Sequence, residues 1–168
     1  MSKTKKLAQI SLFIALVCVS TLAIKIPIPA VNGYVHFGDA FIILSSVFLG
    51  PVYGALAGGL GSAMADLLSG YAIYALPTFI IKALMALGAG YIYSKLSKCI
   101  NNMFIRLILC GIYATAIVIG GYFVFEYFMY GDAAIASILP NLSQGISAVI
   151  ISSVLLPIFN KLRLHDDK

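Results

Sequence analysis

Asp66, Lys82 and Glu126 are ionisable groups set inside long apolar runs, where a bare charge is costly and is kept for a partner or a function. Asp66 closes a ridge of small residues at four-residue spacing, Gly54, Gly58 and Ser62, so on a helix it faces neighbouring protein and not lipid. Thr78, Lys82, Ala86 and Gly90 repeat the pattern, and Lys82 points inward with them. Counted from the breakers that end their runs, Asp66 lies about one turn below the outer end of its span, and Lys82 and Glu126 about 8 Å below theirs. All three share one layer. Asn141 and Gln144, at i and i+3, present two amides to the same layer, and His36, Asp39 and Tyr74 lie at its rim. Asp66, Lys82, Glu126 and the two amides suit a small, hydroxylated, nitrogen-containing ring better than a purely apolar molecule. Several of these groups also have plainer readings: an Asp66–Lys82 structural ion pair, Asp39 as a helix N-cap after Gly38, and Tyr34, Phe37, Tyr71, Tyr74, Tyr122 and Tyr130 as an interfacial aromatic belt.

The elements that hold this layer are membrane helices. The chain has 168 residues, 61% hydrophobic and 10% charged, against about 25% charged in a soluble domain. One domain over residues 1–168 is expected. A span needs about 20 apolar residues, and the runs read as Leu7–Ile24, Asp39–Leu49, Pro51–Ser69, Pro77–Tyr93, Phe104–Met129 and Asn141–Asn160, separated by Pro27, Pro29, Gly50-Pro51, Gly70, Pro77, Gly131 and Pro140. The fold class is therefore all-α, a bundle of six transmembrane helices. Lys3, Lys5, Lys6, Lys95, Lys98, Arg106, Lys161, Arg163 and Lys168, nine of eleven basic residues, fall on one side when both termini are cytoplasmic, as the positive-inside rule requires. His165, Asp166 and Asp167 read as a solvated tail. The basic residues form short clusters with no groove or stripe, which argues against nucleic acid. Cys18, Cys99 and Cys110 are scattered, without metal-ligand spacing.

The second span is too short, because eleven residues rise only about 16 Å. The preceding segment, IKIPIPAVNGYVHFG, is apolar and rich in Pro and Gly, and is expected to fold back over the outer end of the bundle as a lid. Irregular backbone at that depth is tolerated only against protein or a wet cavity.

Below the polar layer the spans offer only small residues and hydroxyls, such as Ser45, Ser46, Thr115, Ser152 and Ser153. Polar groups open to one side with no counterpart beneath make a pocket and not a pathway, which argues against a channel or a self-contained proton relay. No nucleophile elbow, phosphate-binding glycine loop or H-E-x-x-H motif occurs. Two other classes are conceivable: a membrane enzyme using Asp66 and Glu126 as an acid–base pair, which would turn over substrate without partners, and an envelope scaffold, which would leave the polar layer without a purpose.

YVHFGDAF at Tyr34–Phe41, the run FLGPVYGALAGGLGSAMADLLSGYAIYALPTFIIK ending at Lys82, and NLSQG at Asn141–Gly145 resemble the substrate-binding S components of energy-coupling factor (ECF) transporters. The likeness extends over nearly the whole chain and is greatest to the riboflavin-type family, which includes members for hydroxymethylpyrimidine and pyridoxine-like compounds. The resemblance implies a non-enzymatic binding subunit that captures a vitamin or precursor from outside beneath a first-loop lid. It further implies docking onto one transmembrane coupling protein and two ATPases. No cofactor is expected in this chain, since ATP is used by the partners. The family's A-x-x-x-A docking motif in the first helix has its nearest match in Ser11-x-x-x-Ala15, which keeps a small first residue and hence close approach.

Overall fold

The computed structural model describes residues 3–166, with side chains described as far as Lys161. Arg163 and Lys168 of the basic count, and the tail residues His165, Asp166 and Asp167, lie outside the described side chains. The elements run α1 (Lys3–Ala23), β1 (Lys25–Ile28), a 3-10 turn (Pro29–Val31), β2 (Gly33–His36), α2 (Asp39–Leu49), α3 (Pro51–Leu68), α4 (Ala72–Leu96), α5 (Met103–Tyr130), a second 3-10 segment (Gly131–Ser137) and α6 (Ile138–Asp166). Lys3–Ala23, Ala72–Leu96 and the almost unbroken helical stretch Met103–Lys161 are long and apolar enough to cross a membrane. That last stretch turns back on itself at Gly131, whose φ is +61°, so that α5 packs against α6. Large apolar side chains such as Leu12, Val52, Leu76, Ile112, Phe128 and Val154 stand exposed around the outside, as a lipid solvent permits.

α2 is short because it is the central helix. It packs against α1, α3, α4 and α6, and Ala40, Ile42, Ile43, Leu44, Ser45 and Ser46 are all buried. A helix apolar on every side belongs inside a bundle. Ser45 and Ser46 donate back to the carbonyls of Ile42 and Ile43, both at 2.7 Å, so neither is left unsatisfied in the apolar interior.

Small residues let α3 press against its neighbours. A Cβ on Gly61 would sit 2.7 Å from the Ile14 carbonyl oxygen and 2.8 Å from Val17 Cβ of α1, and one on Gly54 would collide with the Ser46 backbone of α2. The ridge Gly54, Gly58, Ser62 and Asp66 is buried throughout, as are Thr78, Lys82, Ala86 and Gly90 of α4. At its C-terminal end α3 stops in a Schellman motif: Tyr71 N–H donates to Asp66 O at 2.9 Å and Gly70 N–H to Leu67 O at 3.3 Å. Gly70, with φ +83°, is the left-handed residue that this stop demands. At the other face, Asn102 caps α5 by accepting from Phe104 N and Ile105 N at 2.9 and 3.2 Å.

Two prolines expected at span boundaries lie within helices instead. α4 starts at Ala72 and continues through Pro77, giving up one backbone hydrogen bond. Pro140 sits in the first turn of α6, where its missing N–H would have had no helical partner in any case.

The segment expected to be an irregular apolar loop is a β-hairpin. β1 and β2 pair antiparallel with Lys25 opposite His36 and Ile28 opposite Gly33, and Asn32 takes the left-handed conformation (φ 48°) at the turn. Ile28, Val31 and Val35 form a small apolar cluster with Tyr130. The turn Pro29–Val31 also packs on Gly131–Ser137, so the hairpin bears on the α5–α6 connection.

Candidate substrate-binding site

Beneath the hairpin lies a cleft lined by Ile28, Gly33, Tyr34, His36, Asp66, Tyr74, Thr78, Tyr122, Glu126, Asn141 and Gln144. Its walls come from the hairpin, the C-terminal end of α3, the first two turns of α4, the last turns of α5 and the start of α6. The free volume is about 20 Å³, room for a single water.

Of the residues singled out from the sequence, His36, Asp66, Tyr74, Glu126, Asn141 and Gln144 meet here. Asp39 and Lys82 do not line the cleft. They form an ion pair behind it, with Lys82 Nζ at 2.7 and 2.9 Å from Asp39 Oδ1 and Oδ2, and both residues are wholly buried. This corrects two of the plainer readings. Lys82 is paired with Asp39 and not with Asp66, and Asp39, the first residue of α2, makes no cap bond. A carboxylate buried beside an ammonium gains more from that charge than from backbone N–H groups at a helix end.

The pair anchors the cleft floor to the hairpin. Gln144 Nε2 donates to Asp39 Oδ2 at 2.8 Å, and Gln144 Oε1 accepts from His36 N at 2.8 Å. His36 Nδ1 accepts from Gly38 N–H at 3.0 Å and lies 3.4 Å from Thr21 Oγ1 of α1, so a neutral ring carries its proton on Nε2. Burial, and secondly the Lys82 ammonium, pushes the His36 pKa down to about 4, because desolvation disfavours the cationic ring.

On the other wall Tyr34 OH donates to Asp66 Oδ1 at 2.6 Å, and Tyr74 OH donates to Val31 O at 2.5 Å. Burial, reinforced by the Asp66 carboxylate, raises the Tyr34 pKa, so its phenol remains a donor. Thr78 Oγ1 and Tyr122 OH lie 3.0 Å apart. Asp66 Oδ2 and Glu126 Oε2 have no hydrogen-bond partner, although the Thr78 and Ser137 hydroxyls lie near the two carboxyl groups. Such orphaned oxygens are costly in a buried place.

Tyr34, Thr78, Tyr122, Ile28 and Gly33 complete the lining beyond the residues expected. Tyr34 and Tyr122 were visible as aromatics at the outer level, and Thr78 lies one turn before Lys82 on the buried ridge. The hairpin residues carry no such signal. Ser11 and Ala15 are elsewhere, both exposed on α1. Among the described residues no three His, Cys, Asp or Glu side chains converge as metal ligands.

Residues 1–161 match the model of the family described as ECF-type riboflavin transporter, S component. An uncharacterised protein of Pyrococcus woesei, from the gap 3′ region, is 37% identical over 146 residues, covering 86% of this chain and 95% of the relative. The thiamine precursor transporter HmpT of Lactococcus lactis subsp. cremoris (strain MG1363) is 28% identical over 159 residues, 94% of this chain and 89% of that one. Among solved structures, the S component of a bacterial ECF transporter superposes with a TM-score of 0.73 at 26% identity, over 96% of this chain and 98% of that one. Family model and shared fold agree with the apolar helices and the cleft: this chain belongs to the ECF riboflavin-transporter S-component family and is a membrane substrate-binding subunit, not an enzyme.

Proposed function

We propose that the chain captures a small vitamin or vitamin precursor, of the hydroxymethylpyrimidine, pyridoxine or riboflavin kind, in the cleft beneath the hairpin and delivers it to an ECF module. The observation that carries this reading is the cleft itself, where buried groups from five elements converge and two carboxylate oxygens lack partners. The thiamine precursor transporter among the relatives favours a ligand at the smaller end of that range. The hairpin acts as a lid: ligand sites are commonly about 300–1,000 Å³, far above the free volume present, so the hairpin must lift for a ligand to enter. Lys82 and Asp39 serve as the floor that fixes Gln144 and, through it, the hairpin.

The remaining architecture follows from the same reading. Residues 1–168 form one domain that crosses the membrane six times, with α1 to α6 as the crossings, α2 completed in depth by the hairpin, and both termini cytoplasmic. The partners are the bilayer, one transmembrane coupling protein and two ATPases. This subunit holds no cofactor, and the ATPases use ATP. Ser11 and Ala15, exposed at i and i+4 on α1, form the docking face on which a partner helix can approach closely. The test is uptake by cells that co-express the ECF module, with equilibrium binding by the purified chain measured alongside. Binding without the module and uptake only with it is the expected result; turnover or uptake by this chain alone would refute the reading.

A further inference from the structure

The two orphaned carboxylate oxygens can be set against the phenol and amide protons already placed around them, with the Thr78 and Ser137 hydroxyls also close to the two carboxyl groups and His36 and Asn141 in the same lining. Asp66 and Glu126 are 4% and 2% exposed, and Asp66 Oδ2 and Glu126 Oε2 lack hydrogen bonds. Tyr74 lies 3.4 Å from Glu126 Oε1, but a phenol has one proton, and Tyr74 spends it on Val31 O at 2.5 Å. Tyr34 has given its proton to Asp66 Oδ1 at 2.6 Å. Both ends of the Gln144 amide are engaged.

The cations near the cleft are engaged as well. The Lys82 ammonium is held by both oxygens of Asp39. Lys25, on the hairpin, donates to Ser69 Oγ at 2.9 Å, with its ammonium 5.7 Å from the Tyr34 ring centre. Among the described residues, the cleft therefore faces its ligand with two carboxylates and no lysine or arginine in its lining.

We propose that the cleft selects a neutral or cationic ligand that brings N–H donors, an amino-substituted nitrogen heterocycle, and rejects phosphorylated or carboxylated forms of the same compound. This inference rests on the cleft being the substrate site. An N–H edge satisfies Asp66 Oδ2 or Glu126 Oε2 and removes a desolvation cost that the empty cleft carries. The rings of Tyr74 and Tyr122, with centres 6.4 Å apart, supply electron-rich faces suited to a flat, electron-poor or cationic ring. A phosphate placed here would meet two carboxylates in a water-poor pocket without a cation to pair with. Discrimination by an unpaired charge of the wrong sign is a strong form of specificity.

The experiment is equilibrium binding to the full-length, detergent-solubilised chain of four probes: a hydroxymethyl-4-aminopyrimidine, its 4-oxo counterpart, its phosphate monoester, and riboflavin. The aminopyrimidine is expected to bind tightest, with the oxo form at least about tenfold weaker and the phosphate ester at least about a hundredfold weaker. Asp66→Asn and Glu126→Gln remove the charge but keep the shape, so at least one of them should shrink the phosphate penalty below about tenfold. A phosphate ester binding as tightly as its parent, or riboflavin preferred over all three pyrimidines, overturns the proposal. If that rival ligand is lost on Tyr122→Ala, the cleft is still the binding site and only the ligand class is wrong. If none of the four probes binds and no compound extracted from cells binds, the substrate-site reading falls and this inference with it.

Discussion

Replacing Lys82 by methionine keeps most of the side chain's length and removes its charge. The Asp39 carboxylate, wholly buried, then retains only the Gln144 amide as a donor, at 2.8 Å. Removing one partner of a buried ion pair costs about 3–5 kcal/mol, chiefly because the remaining charge is stranded. For a chain of this size, about 2–4 °C of Tm per kcal/mol turns that into a fall on the order of 10 °C. The chain has no tryptophan, but Cys18 and Cys110 are buried while Cys99 is exposed. In a Cys99→Ser background, a thiol-reactive fluorogenic dye therefore reports unfolding in detergent. The paired variant Lys82→Met with Asp39→Asn removes both charges and leaves Gln144 an acceptor, so it should recover at least half of the lost Tm. A single variant within about 2 °C of wild type, or a paired variant at least as destabilised as the single one, would refute the assignment of Lys82 as the structural partner of Asp39.

Lowering pH should loosen the hairpin. His36 is neutral in both states above its ordinary value of 6.5; below it the unfolded ring takes a proton that the folded ring refuses until about 4, so up to about 3 kcal/mol is lost across that window. Thermal scans from pH 7 to pH 4 should show the loss, and His36→Gln should flatten it. Gly54→Ala places a methyl against the Ser46 backbone, whereas a Cβ on Gly120 meets nothing within 4 Å; the first should destabilise by about 1–3 kcal/mol, and the second should be neutral or stabilise by up to about 1 kcal/mol, read as Tm. Ala15→Trp should abolish uptake and co-purification with the ATPases while leaving ligand affinity within about threefold of wild type, since Ala15 is exposed on α1 and bulk there blocks a partner helix.

The inward faces were legible because helical periodicity is local. Gly54, Gly58 and Ser62 pointed to Asp66, and Thr78, Ala86 and Gly90 to Lys82, and all are buried. That Asp66 and Glu126 meet was legible too, since rise per residue brought them to one level and both line the cleft. The partner of Lys82 was not, because choosing between Asp39 and Asp66 depends on how α2 is rotated inside the bundle, and no spacing along the chain encodes that. The hairpin escaped for another reason: its strands are four residues each, and Pro27 interrupts the first, which by local rules argues against a strand. Pairing is set by Ile28, Val31 and Val35 closing on Tyr130, a contact between segments remote in sequence. Tyr34 and Tyr122 could be placed at the outer level but not sorted from an interfacial belt, because only the hairpin's position separates rings that face the cleft from rings that face lipid.

The most direct test of the account is a mass-spectrometric inventory of small molecules that co-purify with the detergent-solubilised chain, wild type beside the paired variant Asp66→Asn with Glu126→Gln. One nitrogen-containing, vitamin-like compound is expected near one per chain in the wild type and is expected to be lost from the variant. A wild-type chain carrying no such compound, or a variant retaining it at the same stoichiometry, would contradict the claim that this cleft is where the substrate binds.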